Sequence, residues 1–389
     1  MKEKKKVGIL NVQWVDNYGA VLLAYALQVS IEKLGYQAEI IDYRPVSNEL
    51  PKNFIGKIKS SFIKYGIKGV FIKAWNKFVK RKKAFSVNFS SEDKKKNFEV
   101  FRTDYLKRSK VYHEITVDDK LEYDIYVVGS DVVWKPDRIL SKESDIYFLD
   151  FTEGLNCRRV AYAASIGTDN QEILESLKNK YKKMIQKFDC VSMRENASIS
   201  FMQLLYGKEI SWCIDPTLLL CREEYDNIIV QEMENQKCDE YIYVYLFEDN
   251  DSAFDMVNSY SRKRNLPVVC QCTSPDKIER LQEYSFNDGP VEFVNRIKNA
   301  KLVITDSFHG TVFSIIYQKE FFTISRGKIS VRMQDLLTRL NLMERYVAEP
   351  CREVVNVSEV DYSHVEKIID KWKKESIDYL NTALSGGRQ

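Results

Sequence analysis

Short, wholly apolar runs that end in a polar, glycine-containing turn and lead into a segment of helical periodicity recur along this chain. Few folds accept that pattern. A run of four or five apolar residues is buried on both faces only in a sheet covered by helices on either side, and such sheets are parallel. The turn that follows then lies at the carboxyl end of a strand, beside the free N–H groups of a helix N-terminus, where open α/β sheets bind their ligands. The fullest instance runs from Leu302 to Thr305, crosses Asp306-Ser307-Phe308-His309-Gly310 and re-enters an apolar stretch to Ile316. The chain has three histidines, and the other two, His113 and His364, lie in polar surroundings without such a frame. His309 is therefore the first candidate for chemistry, with Ser307 and Gly310 in the same turn.

The pattern organises the whole chain. Strands are expected over 6–12, 37–43, 124–129, 159–166 and 189–193, with a helix over 20–34. A second series is expected over 241–247, 266–272, 302–305 and 320–324, with a helix starting at Pro290. Asp215-Pro216 and the acidic stretch 223–240 mark the passage between the two series. A chain of 389 residues is long enough for two cores. The expected fold is α/β, with two Rossmann-like domains over 1–218 and 219–389 whose mainly parallel sheets face each other across a cleft. A helical tail over 358–380 is expected to pack back on the first domain.

Composition narrows the function. No apolar run approaches the ~20 residues that span a bilayer. The basic start leads into an apolar stretch broken by Asn11, Gln13 and Asp16, with no small-residue cleavage site; it reads as a first strand, and a cytoplasmic protein is expected. Eight scattered cysteines without a CxxC pair fit reduced thiols, and with so few histidines no protein-held metal site is expected. Residues 52–110 hold 18 Lys and Arg against 4 Asp and Glu, a net +14 that leaves the rest of the chain at −11. Ile55, Phe62, Phe71, Trp75 and Phe78 recur between the lysines at near-helical spacing. Two readings stand. One is a basic helical insertion that meets a diphosphate-bearing substrate or the inner face of the cytoplasmic membrane. The other is ordinary helices packed on a sheet with their lysines in water. Nucleic acid is not an expected partner, since no recognition motif accompanies the charge.

Four further turns repeat the pattern of the histidine turn. In 15–20, Gly19 allows close backbone approach, and Asp16 or Asn17 can bond a hydroxyl or cap the next helix. In 127–136, Gly129-Ser130-Asp131 leaves a strand and Trp134 follows. An acid beside an aromatic suits a sugar; the plain alternative is a turn aspartate and a core tryptophan. In 161–167, small residues end at Ser165 and Gly167, where a ligand could lie on the backbone. In 191–196, Arg194 ends an apolar strand and offers a planar fork to a carboxylate or phosphate. Its alternative is a salt bridge with a neighbouring helix or with Glu195.

In the order NYGAVLLAYAL, FRTDYLKRS, YDIYVVGSDVVW, YFLDF, VAYAASIG, FDCVSMREN, DPTLLL, LVITDSFHGTVFSIIY and SVRMQDLLTRLNL, the chain resembles the polysaccharide pyruvyl transferase family. The resemblance spans about residues 7–345, and SFHGTVFSI and GSD-x-VW are its most specific parts. It departs at Val132 and Lys135, where the family often carries Gln and Asn. It implies a GT-B-like fold and transfer of the enolpyruvyl group of phosphoenolpyruvate onto two hydroxyls of a sugar in a cell-surface polysaccharide precursor, with phosphate released. No cofactor is implied beyond phosphoenolpyruvate as co-substrate, and the acceptor is a sugar or a lipid-linked oligosaccharide. On this basis His309 is expected as acid or phosphate partner and Asp131 as base on the acceptor. Arg194, Ser307, Gly310, Ser165 and Arg332 are expected on the donor, and Asp16, Asn17, Gly19 and Trp134 on the acceptor. A nucleotide-sugar glycosyltransferase and a non-catalytic member of a polysaccharide assembly complex stay open as other readings.

Overall fold

The computed structural model describes residues 4–45, 91–119, 121–136, 143–229, 240–327, 330–350 and 358–386. Most of the basic segment, including Ile55, Phe62, Phe71, Trp75 and Phe78, lies outside the described residues. Two six-stranded sheets carry the fold, and every strand pair is parallel. The first contains Lys6–Leu10 (β1), Gln37–Ile40 (β2), Ile125–Val128 (β3), Arg158–Ala164 (β4), Cys190–Met193 (β5) and Ser211–Trp212 (β6), in the order β2-β1-β3-β4-β5-β6. The second contains Ile242–Tyr245 (β7), Val268–Gln271 (β8), Leu281–Tyr284 (β9), Leu302–Thr305 (β10), Glu320–Ile324 (β11) and Tyr346–Val347 (β12), in the order β12-β11-β10-β7-β8-β9. Strand order reverses between β1 and β3 and again between β7 and β10, which sets a crevice at the carboxyl ends of each sheet.

Every residue of β3, β5, β7, β8 and β10 is buried, the two-faced burial that their apolar runs demand. The helices start where a side chain can take up a free N–H. Asn17 caps Tyr18–Lys33, Asn250 caps Asp251–Arg264, Ser307 caps Phe308–Ile316 and Ser330 caps Val331–Arg339. Strands β6, β9 and β12 carry no apolar run that alternation could reveal: two are two residues long, and β9 is a largely exposed edge. Expected strands are trimmed where side chains take over from the ladder. Residues 11–13 leave β1 to form a loop, in which Gln13 N donates to Asn11 Oδ1 at 3.2 Å.

One buried cluster spans the two halves, and each half has a further cluster of its own. The shared cluster includes Val21 and Leu22 beside the first sheet and Val303 and Phe313 of the second. Tyr18 is stacked on Phe293, 4.4 Å between ring centroids, and its hydroxyl donates to Asp288 O at 2.7 Å. The helix Tyr362–Ser385 returns to the first sheet: Tyr379 Oη donates to Ala161 O at 2.9 Å and Trp372 Nε1 to Trp212 O at 3.0 Å. Among the described residues, no helix is long and apolar enough to cross a membrane.

Part of the basic segment is structural. In the helix Ser91–Tyr105, the buried Arg102 donates from Nε to Gln13 O at 2.8 Å and from Nη2 to Asp16 at 2.8 Å. Arg108 pairs with Asp42 and Glu99 at 3.2 and 2.9 Å. These two arginines hold the first sheet's loops and are not available to a lipid surface.

Candidate active site

Four loops at the carboxyl ends of the first sheet supply half of the site. After β3, Asp131 takes a left-handed φ of 79°, a strained choice for a side chain with a Cβ, and its carboxylate accepts from Val132 N at 2.8 Å. Strand β4 breaks register between Ala161 and Ala164, with Ala163 at φ 44°. That bulge turns Ser165 toward the next loop, where its hydroxyl donates to the buried Glu195. After β5, Arg194 donates from Nη1 to Asp215 Oδ2 at 2.7 Å and brings Nη2 to 3.8 Å from Asp131 Oδ1. Asp215 follows β6, and its second oxygen accepts from Thr217 N at 3.0 Å and Thr217 Oγ1 at 2.7 Å.

The second sheet supplies the other half. At the end of β10, Ser307 Oγ accepts from Gly310 N at 3.3 Å and opens the helix Phe308–Ile316. The amides of Phe308 and His309, in its first turn, have no intrahelical acceptor. His309 Nε2 stands 3.7 Å from Asp215 Oδ2, too far for a hydrogen bond, and has no hydrogen-bond partner among the described residues. Arg332, on the helix Val331–Arg339, brings Nη1 to 3.7 Å from Asp131 Oδ1. The ring of Phe308 carries both guanidinium groups, Arg194 at 5.1 Å and Arg332 at 5.5 Å.

The electrostatics sort two buried acids, Asp215 and Glu195, and the half-buried Asp131 into two kinds. Burial alone would raise the Asp215 carboxyl, but His309, Arg194 and Thr217 outweigh it and hold Asp215 far below the usual carboxylate range. Burial likewise opposes ionisation of Asp131, and Arg194, Arg332 and His309 prevail. Burial wins at Glu195 against Arg194, Ser165 and Arg332, and raises its carboxyl. Burial and then the charge of Arg194 depress Arg332.

Glu195 therefore keeps its proton at a pH where the unfolded chain has released it. Folded stability should fall as pH rises from the ordinary glutamate range to that raised value. Glu195→Gln, which keeps an acceptor for Ser165, should flatten that fall in melting temperatures recorded above about pH 4.3. An unchanged slope would assign the retained proton to another group.

Of the residues singled out from the sequence, the fold brings Asp131, Arg194, His309 and Arg332 together, with Ser165 beneath them and Ser307 and Gly310 at the turn. Several take different parts from those expected. Trp134 is fully buried, stacked on Phe148 at 4.9 Å with its indole donating to Tyr147 O at 3.0 Å. It is a core residue with no face open to a sugar. Gly19 makes room for His309 rather than for a ligand: a Cβ there would lie 1.8 Å from Nδ1. Asn17 caps its helix by accepting from Ala20 N at 3.1 Å, and Asp16 pairs with Arg102. The N–H of Gly310 is occupied by Ser307, and a Cβ at Gly310 would meet Thr305 Oγ1 at 2.5 Å, so this glycine serves helix–strand packing.

Asp215 and Glu195 were not singled out as site residues. The signal available for Asp215 was an aspartate before Pro-Thr at a strand end, a helix cap by pattern, which also describes it correctly. Glu195 was legible only as a possible partner of Arg194, a place that Asp215 takes. Among the described residues, no three His, Cys, Asp or Glu side chains gather as a metal site would require.

The family model described as polysaccharide pyruvyl transferase matches residues 17–328. No curated protein matches the sequence closely enough to count as a relative. Among solved structures, UDP-GlcNAc 2-epimerase from Methanocaldococcus jannaschii in complex with UDP-GlcNAc and UDP superposes with a TM-score of 0.52 at 12% identity, covering 98% of this chain and 100% of that one. A second UDP-N-acetylglucosamine 2-epimerase gives 0.52 at 8% identity, covering 100% of this chain and 98% of that one. At such identities the likeness concerns the fold alone: two α/β domains arranged as in GT-B proteins.

Proposed function

This chain belongs to the polysaccharide pyruvyl transferase family, and we propose that its donor is phosphoenolpyruvate and its product a pyruvate ketal across two hydroxyls of a sugar in a polysaccharide precursor. One observation carries the donor. Arg194 and Arg332 come from opposite halves, meet on the ring of Phe308 and lie 3.8 and 3.7 Å from one oxygen of Asp131. Asp131 is too distant to satisfy either guanidinium by a hydrogen bond. A small molecule with a carboxylate and a phosphate supplies what the pair lacks, with the first-turn amides of the histidine helix at its side.

The chemistry then needs one proton in and two protons out. His309 delivers a proton to the methylene carbon of the donor, which becomes a methyl group and leaves cationic character at the adjacent carbon. The first sugar hydroxyl adds there and gives up its proton. The bond to the phosphate oxygen breaks, the second hydroxyl adds in its place, and its proton leaves with the phosphate. Asp131 is held ionised, so it is a weak base. A weak base suffices for a hydroxyl that has already bonded to a cationic carbon. The scheme uses no cofactor beyond the co-substrate.

Thermal-shift measurements should show the folded protein stabilised by phosphoenolpyruvate and not by UDP-sugars, and phosphate should appear only when a sugar acceptor is added. Stabilisation by a UDP-sugar alone would move the donor reading to a nucleotide sugar. Phosphoenolpyruvate binding without phosphate release across a panel of acceptors would argue for a binding protein.

A further inference from the structure

The helix Val331–Arg339 belongs by its apolar face to the second half, where Met333, Leu336 and Leu337 are buried. Its other face is fastened to the first half at a stripe of three positions, 332, 335 and 339, that fall together at helical spacing. Arg332 reaches Asp131. Asp335 Oδ2 accepts from Asn196 N at 2.6 Å and from Ala197 N at 3.4 Å, on the backbone that follows Arg194 and Glu195. The guanidinium of Arg339 packs over the rings of Trp212 and Trp372, at 4.1 and 4.0 Å, and donates to Glu375 at 3.2 Å.

We propose that Asp335 and Arg339 are positioning residues for the donor, a clasp that ties the Arg332 helix to the Arg194 loop and so sets the distance between the two guanidinium groups. The inference rests on the donor reading of Arg332 given above. A long arginine side chain loses rotamer freedom whenever it is used, and a helix held at two further points has already lost the freedom of its backbone. Release of the clasp makes each donor molecule order the helix as it binds. That cost falls on the ground state and the transition state alike, so it enters KM and leaves kcat nearly unchanged.

The test is the phosphoenolpyruvate KM and kcat, read by phosphate release, of Asp335→Ala, Asp335→Asn, Arg339→Gln and Arg332→Ala. Asp335→Ala should raise the donor KM about tenfold and change kcat by less than about threefold. Arg339→Gln should move KM the same way. Asp335→Asn keeps an oxygen for both amides and should recover most of the loss. A folded Asp335→Ala protein with the wild-type KM, while Arg332→Ala raises it, overturns the clasp and leaves the donor reading standing. A wild-type KM in Arg332→Ala overturns the donor reading and the clasp with it. Should Asp335→Ala fail to fold, Arg339→Gln decides by the same criterion.

Discussion

His309→Ala should give a protein that melts close to the wild type and releases phosphate about 10²–10⁴-fold more slowly, the usual contribution of a positioned acid–base group. Folding should survive because the helix it sits on is held elsewhere: Ser307 caps it, Thr311 Oγ1 donates to Ser307 O at 3.1 Å, and Val312 and Phe313 bury its apolar side. Loss of the ring opens space at the cleft between the sheets, against Gly19, rather than in either core. Gly19→Ala tests position separately from presence. Its Cβ would occupy the place of Nδ1, so the imidazole must move, and turnover should fall although the histidine is retained. Full activity in His309→Ala would remove this residue from the chemistry.

Arg194 should separate into a structural and a functional part. Its Nη1 neutralises Asp215, whose side chain is 1% exposed. Arg194→Ala strands that carboxylate and should destabilise the protein by about 3–5 kcal/mol, the cost of breaking a buried pair from one side. Asp215 also fixes the pH dependence. A depressed carboxyl stabilises the fold above the unfolded value, and that stability is lost as pH falls through the folded value. In the wild type the loss belongs to strongly acid conditions; in Arg194→Ala it should begin at higher pH. Arg194→Lys keeps a charge for Asp215 and loses the planar fork, so the fold should hold while phosphoenolpyruvate affinity falls in calorimetry. An unchanged affinity in folded Arg194→Lys would leave the arginine a purely structural part.

How much of this was legible in the sequence depends on how local the cause is. Runs such as Leu302–Thr305 are buried on both faces whatever their partners, so strand, turn and helix could be read off, and with them the parallel sheets, whereas the GT-B-like arrangement was implied only by the family resemblance. The helix cap Asn17 acts over three residues and was legible for the same reason; Ser307, expected on the donor, is shown as a cap only by the structure. Trp134 was not: a tryptophan after a strand end carries no mark of which way its ring turns, and only packing against Phe148 decides it.

The site itself followed the same division. That Asp131, Arg194 and His309 stand near strand ends is written in the chain, because each follows an apolar run; Arg332 was expected only from the family resemblance. Which acid each arginine faces is a matter of contacts between residues far apart in sequence. Arg194 meets Asp215 and the ring of Phe308, and Asp335 meets the amides of Asn196 and Ala197. The ionisation of the acids is decided there too. Asp131 and Glu195 are ordinary carboxyls by sequence, and it is the balance of burial against nearby guanidinium groups, set only when the two sheets close on each other, that favours ionisation of one and opposes it at the other.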